Sequence, residues 1–375
     1  MKHYPIVNYS FSLDEFCFHA KARNYDPLQK GKYRDVVDAF RIVYWFHELK
    51  IRNKTRSLYE LEKLLEPDAF KVDKYGEKYR HNKWRGYAIG KHTPNQSLVL
   101  KIDKTNQGTE AIFNHVLWDV LRLELGASLN ATSWLMRIEP DVQVLLFSRS
   151  SPYKEHRKLK TQAFEAIERR AGLSALACLT IIARKASEEG DSEYAFEVGY
   201  WICRMLLLCG EELMRHGIAN PIYQFYEIFI LPLTTFSYLH HTYRGLSYLS
   251  LIGRVSDRLW HLEGVSPHRL SKSEKLQYEQ KILGWDYGLD NLNLFLPAKI
   301  AVDQVLIESD AFLKYWEAQL NVRKWADSGK WYENIKTFNE HKRTDDLCKQ
   351  LRIAENAFNK YLQNNFLNNI SNDVK

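Results

Sequence analysis

The sequence predicts an all-α protein. Three observations predict it. Apolar residues recur at helical spacing along most of the chain. Glycine (17) and proline (10) are sparse for 375 residues, which disfavours strand-and-turn architectures. Gly190, Gly217, Pro221, Gly245, Pro267 and Pro297 mark breaks between the periodic runs, as helix punctuation.

Residues 1–32 are mixed, carry Pro5 and Pro27, and read as an N-terminal extension. From Tyr33, "YRDVVDAFRIVYWFHEL" puts Val36, Val37, Phe40, Val43, Tyr44 and His47 on one helical stripe. "SLYELEKLLEP" follows. Ser57 stands three residues before Glu60, the spacing of a capping box, and opens a helix with Leu58, Leu61, Leu64 and Leu65 on one side until Pro67 ends it. Residues 68–81 are charged and tyrosine-bearing and read as a loop. In "NKWRGYAIGKHTP", Trp84 and Tyr87 lie one helical turn apart, Gly90 suits a helix end and Pro94 a helix start. "NQSLVLKID" and "EAIFNHVLWDVLRLEL" continue the helical period, whereas the apolar run 142–147 fits either a strand or a buried turn.

From Lys158 the pattern is of long amphipathic helices over roughly 159–188, 193–216, 222–243, 245–262, 272–283, 297–320 and 348–366, suiting a bundle or solenoid-like region. The expected layout is an extension (1–32), a basic helical domain (33–126), a connector (127–157) and an all-α C-terminal domain (158–375). The stretch 222–239 is as long as a bilayer span, yet Glu227 and Pro232 lie inside it, so it reads as a buried core helix.

Composition is that of a globular protein, with 45% hydrophobic and 26% charged residues. Five cysteines (Cys17, Cys178, Cys203, Cys209, Cys348) are scattered and show no zinc-knuckle or redox spacing, which predicts a reduced, cytoplasmic setting. The N-terminus shows no signal-peptide pattern. Charge is more telling. Of 53 Lys+Arg and 46 Asp+Glu, 14 and 7 lie between Lys50 and Lys104, which leaves 39 of each elsewhere. The whole net charge of +7 therefore sits in one segment, where it would favour phosphate backbones.

Residues 55–103 resemble the helix-turn-helix of lambda-repressor-like (Cro/Xre-type) DNA-binding domains. The resemblance implies Leu61, Leu65, Trp84, Tyr87, Gly90 and Pro94 as the core and turn positions, with Leu98, Val99 and Ile102 covering them. It implies His81, Asn82, Lys83 and Arg85 facing DNA and Lys91 near phosphate. Three features depart from that pattern: the stretch from Leu61 to Tyr87 is about a dozen residues longer, Ala88 replaces an acidic residue, and Gly86 lies inside the reading helix. More loosely, the architecture is similar to helix-turn-helix proteins encoded beside reverse transcriptases in retron anti-phage systems. The implied function is DNA binding in a bacterial regulator or defence effector. The alternative is an interaction protein that binds RNA or a ribonucleoprotein, such as a reverse transcriptase with its nucleic acid. A homo-oligomer is compatible with either.

No catalytic residue, metal or cofactor is expected. The chain has no phosphate-cradling glycine loop, and "FHELK" starts like a zincin motif without its second His. Glu212 and His216 are four apart on one helix face, which suits a metal or an ordinary side-chain pair; Asp286 and Asp290 are equally ambiguous. His240 and His241, being adjacent, would fall on different helix faces and make poor joint ligands.

Overall fold

The computed structural model describes residues 10–23, 34–67, 70–72, 78–80, 83–148, 151–155, 158–236, 239–242, 247–265, 269–283, 298–301, 309–327 and 342–362. It is mostly helical, as the periodicity predicts. The elements run α1 (Leu13–Ala20), β1 (Ala22–Arg23), β2 (Arg34–Asp35), α2 (Val36–Arg52), α3 (Leu58–Leu65), β3 (Phe70–Val72), β4 (Lys78–Arg80), α4 (Lys83–Ala88), α5 (Gln96–Asp103), α6 (Thr109–Phe113), α7 (Val116–Val120), α8 (Ala127–Leu135), α9 (Pro140–Gln143), β5 (Phe147–Ser148) and β6 (Ser151–Glu155). They continue through α10 (Thr161–Glu168), α11 (Leu173–Glu188), α12 (Ser192–Leu208), α13 (Gly210–Arg215), α14 (Ala219–Phe225), a π turn (Tyr226–Ile230), a 3-10 turn (Leu231–Thr234), β7 (Leu239–Thr242), α15 (Tyr248–Val265), α16 (Lys272–Leu283), β8 (Ala298–Ala301), α17 (Asp310–Asp327) and α18 (Lys342–Leu362). Among the described residues the strands pair in twos: β1 with β2 in parallel, and β3 with β4, β5 with β6 and β7 with β8 antiparallel.

The chain divides into two compact units along lines that differ from 33–126, 127–157 and 158–375. The first unit takes residues 1–155, 172–181 and 209–230; the second takes 156–171, 182–208 and 231–375.

The first unit is organised around α2. Asp35 caps its start, accepting the Val37 amide at 2.7 Å. From Val36 to Leu49 this helix buries residues on every side, well beyond the single stripe expected, because α1, α4, α6 and α7 all pack on it. A helix covered all round must be apolar all round, and "VVDAFRIVYWF" very nearly is. Leu13 at the start of α1 donates its amide to Gln224 of α14 at 2.6 Å, tying the beginning of the unit to its last segment.

In the second unit, α10 and α12 meet over a stacked Phe164–Trp201 pair, with ring centroids 5.5 Å apart. Beside it the buried Arg204 guanidinium donates to both Glu168 carboxylate oxygens, at 2.6 and 3.1 Å, and to the Leu283 carbonyl at 2.6 Å. Such a pair is tolerated in a core only when its remaining donors are also answered. The helices α17 and α18 pack through Phe312, Tyr315 and Phe358, the last two rings stacked at 5.2 Å.

Several expected helices are divided. The run 159–188 is α10 and α11, and 193–216 is α12 and α13. The stretch 222–243 is α14, the π turn, the 3-10 turn and then β7. Pro232 explains the change: it lacks an amide proton and its ring opposes the carbonyl four residues back. His240 and His241 consequently lie on a strand, opposite Ile300 and Lys299. Within the stretch 297–320 the described residues include β8 at its start and α17 from Asp310. Residues 68–81 contain β3 and β4 rather than a plain loop, and residues 142–147 end α9 and enter β5. No helix among the described residues is long and apolar enough to cross a membrane.

Candidate nucleic-acid interface

The segment carrying the net charge folds on α2. Ser57 and Glu60 form the anticipated capping box, the Glu60 amide donating to Ser57 Oγ at 3.2 Å and the Ser57 amide to Glu60 Oε2 at 3.2 Å. Helix α3 then buries Leu61 and Leu65, while Leu64 turns outward at 56% exposure. Trp84, Tyr87 and Ala88 of α4 join Leu98, Val99 and Ile102 of α5 in one cluster with Ile42, Trp45, Phe46 and Leu49 of α2 and Phe113 of α6. The aromatic rings interlock, Trp84 lying 6.2 Å from Trp45 and 5.5 Å from Tyr87.

Two glycines make this packing feasible. Gly90 ends α4 at φ +69°, a left-handed conformation that side chains resist, and a Cβ there would also meet Ala39 and Val43 at 3.1 Å. Gly86, the departure inside the expected reading helix, lies under the His92 ring; a Cβ would come within 2.0 Å of it. Pro94 is buried but stands before the helix rather than in its first turn. Asn95 is the N-cap of α5, accepting the Leu98 amide at 2.9 Å.

The DNA-facing residues expected from the resemblance separate into three groups. His81 and Asn82 lie outside the described residues. Lys83 is half-buried, its Nζ 2.6 Å from Glu66 Oε1, so its charge is answered within the protein. Arg85 and Lys91 are exposed. Arg56, Lys63, Lys101 and Lys104 are exposed as well. Reading the charge run alone missed two more cations, Lys21 and Arg34. Both act with Lys91 on His92, whose pKa is lowered by partial burial first and then by Lys91, Arg34 and Lys21. Arg34 also donates to Thr93 Oγ1 at 3.0 Å, which brings the start of α2 beside the α4–α5 turn. That neighbourhood holds cations from three separate parts of the sequence.

The spacing between α3 and α4 is unlike a helix-turn-helix, which joins its helices by three or four residues. Here residues 66–82 intervene and contain the β3–β4 pair. Glu66 closes this excursion at its base. Its Oε1 takes the Lys83 ammonium and its Oε2 takes the Trp84 indole N–H, at 2.6 and 2.7 Å.

A second set of titratable groups sits elsewhere in the first unit, between α2 and α13. The Tyr44 hydroxyl donates to Glu212 Oε1, and its ring stacks on His216 at 3.9 Å and 6°. His216 Nδ1 faces the Glu212 carbonyl at 2.6 Å and Nε2 faces Glu48 Oε2 at 2.8 Å. The His216 hydrogen bond, with help from Arg52, holds the Glu48 carboxyl down at about 2. Burial and the Glu212 charge push the Tyr44 hydroxyl up. His47 is held at about 3 chiefly by burial, and its Nε2 has no hydrogen-bond partner among the described residues. Glu212 and His216 thus answer different partners rather than converging on one point. Among the described residues no group of three or more His, Cys, Asp or Glu is placed to hold a metal ion. Cys17, Cys178, Cys203 and Cys209 are buried free thiols that pack as small apolar groups. Asp286 and Asp290 lie outside the described residues.

No protein-family model, curated protein or solved structure matches this chain.

Proposed function

We propose that the protein binds duplex DNA through the basic surface of residues 50–104, extended by Lys21 and Arg34. The observation that carries this reading is the coincidence of the entire net charge with a small helical cluster that keeps Arg56, Lys63, Arg85, Lys91, Lys101 and Lys104 exposed. A solvated lysine-rich face with no partner has no need of cations gathered from three parts of the chain around one turn. Phosphates do, since each neutralised phosphate releases counterions. The helix-turn-helix resemblance supports the same reading and adds its context, a regulator or a DNA-binding effector of retron type. Residues 231–375 would then supply sensing or assembly.

The test is a salt titration with a random duplex. Log affinity should fall linearly with log salt at about 0.9 per phosphate contact. Lys91→Ala with Lys101→Ala should lower that slope by ~2, on the same relation. An affinity that ignores salt would refute the reading. Sequencing nucleic acid recovered with the protein from cells separates duplex DNA from the alternative, a single small RNA accompanied by a protein partner.

A further inference from the structure

On the reading that this surface binds duplex DNA, we infer that Lys21, Arg34, Lys91 and Thr93 form a seat for one phosphate group, and that His92 completes it by taking up a proton as the phosphate arrives. The fold brings these side chains together from three places in the chain. Arg34 is the brace. Its Nη2 donates to the Ala20 carbonyl at 3.3 Å and its Nη1 to Thr93 Oγ1 at 3.0 Å, so one half-buried guanidinium ties the end of α1 to the α4–α5 turn. Lys21 follows Ala20 directly, and Lys91 and His92 precede Thr93. The backbone fixes both ends. Lys21, at φ +51°, closes α1 by donating its amide to the Cys17 and Phe18 carbonyls, while the Lys91 and His92 amides both donate to the Gly86 carbonyl, at 2.7 and 3.3 Å.

The charge gathered here lacks an answer from the protein. Lys21, Lys91, His92 and Thr93 are exposed. Among the described residues neither lysine meets a carboxylate, and neither ring nitrogen of His92 has a hydrogen-bond partner. Asp38 acts on Arg34 but is already shared by Arg41 and Arg122, at 3.0 and 2.6 Å, and burial holds the Arg34 guanidinium down at about 10. Partial burial, then Lys91, Arg34 and Lys21, lower the pKa of His92, and no acidic group acts on it. An anion within ~4–6 Å reverses that balance and favours the imidazolium, with the proton drawn from solvent. The imidazolium has only donors to offer, and Thr93, which accepts from Arg34, keeps its own hydroxyl proton to give.

The same seat explains Gly86. Glycine inside a helix costs ~1 kcal/mol against alanine. A Cβ at this position would come within 2.0 Å of the His92 ring, so alanine would push the ring out of its place.

The experiment follows His92 by NMR in the full-length protein labelled at histidine. Its resonance is assigned by its absence from His92→Gln or, should that variant not fold, from His92→Phe. The pKa is measured alone, with sulfate as a stand-in for phosphate that does not titrate near neutral pH, with a random duplex, and with chloride at equal ionic strength. Sulfate and duplex should each raise it saturably, and chloride should not. At one salt concentration the duplex should bind roughly three- to tenfold more tightly at pH 6 than at pH 7.5, and His92→Gln should remove that dependence. Lys21→Gln with Lys91→Gln should raise the pKa of His92 in the free protein and abolish its response to sulfate, a pair of changes that a merely structural role would not produce. Salt-dependent duplex binding that leaves His92 unmoved overturns the inference and leaves the DNA-binding reading standing. A pH dependence kept by His92→Gln overturns it as well. A response to sulfate without duplex binding keeps the seat, assigns it to a free phosphate compound and removes the DNA-binding reading. A response to neither removes both.

Discussion

Truncating Trp84 is the sharpest test of how the basic segment is built. The indole is fully buried, packs near Trp45, Phe46 and Tyr87 at 6.2, 6.3 and 5.5 Å, and donates to Glu66. Trp84→Ala removes a core aromatic, for which losses of about 3–5 kcal/mol are usual. It also leaves Glu66 Oε2 without its donor, a further ~1 kcal/mol for a partly buried oxygen. The sum, about 4–6 kcal/mol, reaches the lower end of a typical domain's stability of ~5–15 kcal/mol, so this cluster should open cooperatively. Trp84→Phe keeps most of the apolar volume and removes the N–H, and should cost only ~1–3 kcal/mol. The assay is urea unfolding combined with amide hydrogen exchange, comparing 42–113 with the second unit. Exchange should accelerate across 42–113 in the alanine variant while α12 keeps its protection. An alanine variant within ~0.5 kcal/mol of the parent would mean that the ring is not the keystone described.

Two further outcomes follow from the same core. Gly90→Ala places a Cβ at φ +69° and 3.1 Å from Ala39 and Val43, so a loss of ~1–2 kcal/mol is expected, more than for glycine to alanine at an ordinary loop position; a neutral or raised melting temperature would contradict the assignment. Acid should destabilise the first unit early. His47 and His115 are held at about 3 and 4, mainly by burial, so their neutral forms stabilise the fold above the unfolded value of 6.5 and that contribution drains away as pH falls below it. Each contributes roughly 1.4 kcal/mol per pH unit over that window. Protonating His115 also removes the Nδ1 acceptor that caps α7 through the Leu117 amide. Glu48 adds the same sign lower down, between 4.5 and about 2. Urea midpoints at pH 7.5, 6 and 5 check this, and a midpoint constant over the range would refute it.

Local chemistry was legible in the sequence wherever cause and effect lie within a few residues. The Ser57–Glu60 box, the turn at Gly90 and the apolar positions Trp84, Tyr87, Leu98, Val99 and Ile102 all depend on neighbours three or four positions away. Periodicity persists through a π turn and so carries an expected helix past its end, and Pro232, which argues against a membrane span, is also where the helix stops. What could not be read was pairing at a distance. Glu48 and His216 are 168 positions apart, so nothing near "FHELK" shows that His216 of α13 hydrogen-bonds its glutamate. Lys83 looked available in the charge run because nothing local marks Glu66 as its partner. Arg34 precedes the basic segment in sequence and joins it only through the fold.

The return of residues 209–230 to the first unit has a consequence for synthesis. A chain leaves the ribosome from its N-terminus, so α2 is finished long before α13 and α14 exist. Until then Tyr44 and Glu48 lack Glu212 and His216, and Leu13 lacks Gln224. At ~5–20 residues per second, the interval between residues 155 and 230 lasts on the order of 4–15 s. Throughout it the nascent chain offers an apolar helix with one flank uncovered. Slow codons placed between 155 and 230 would lengthen that exposure.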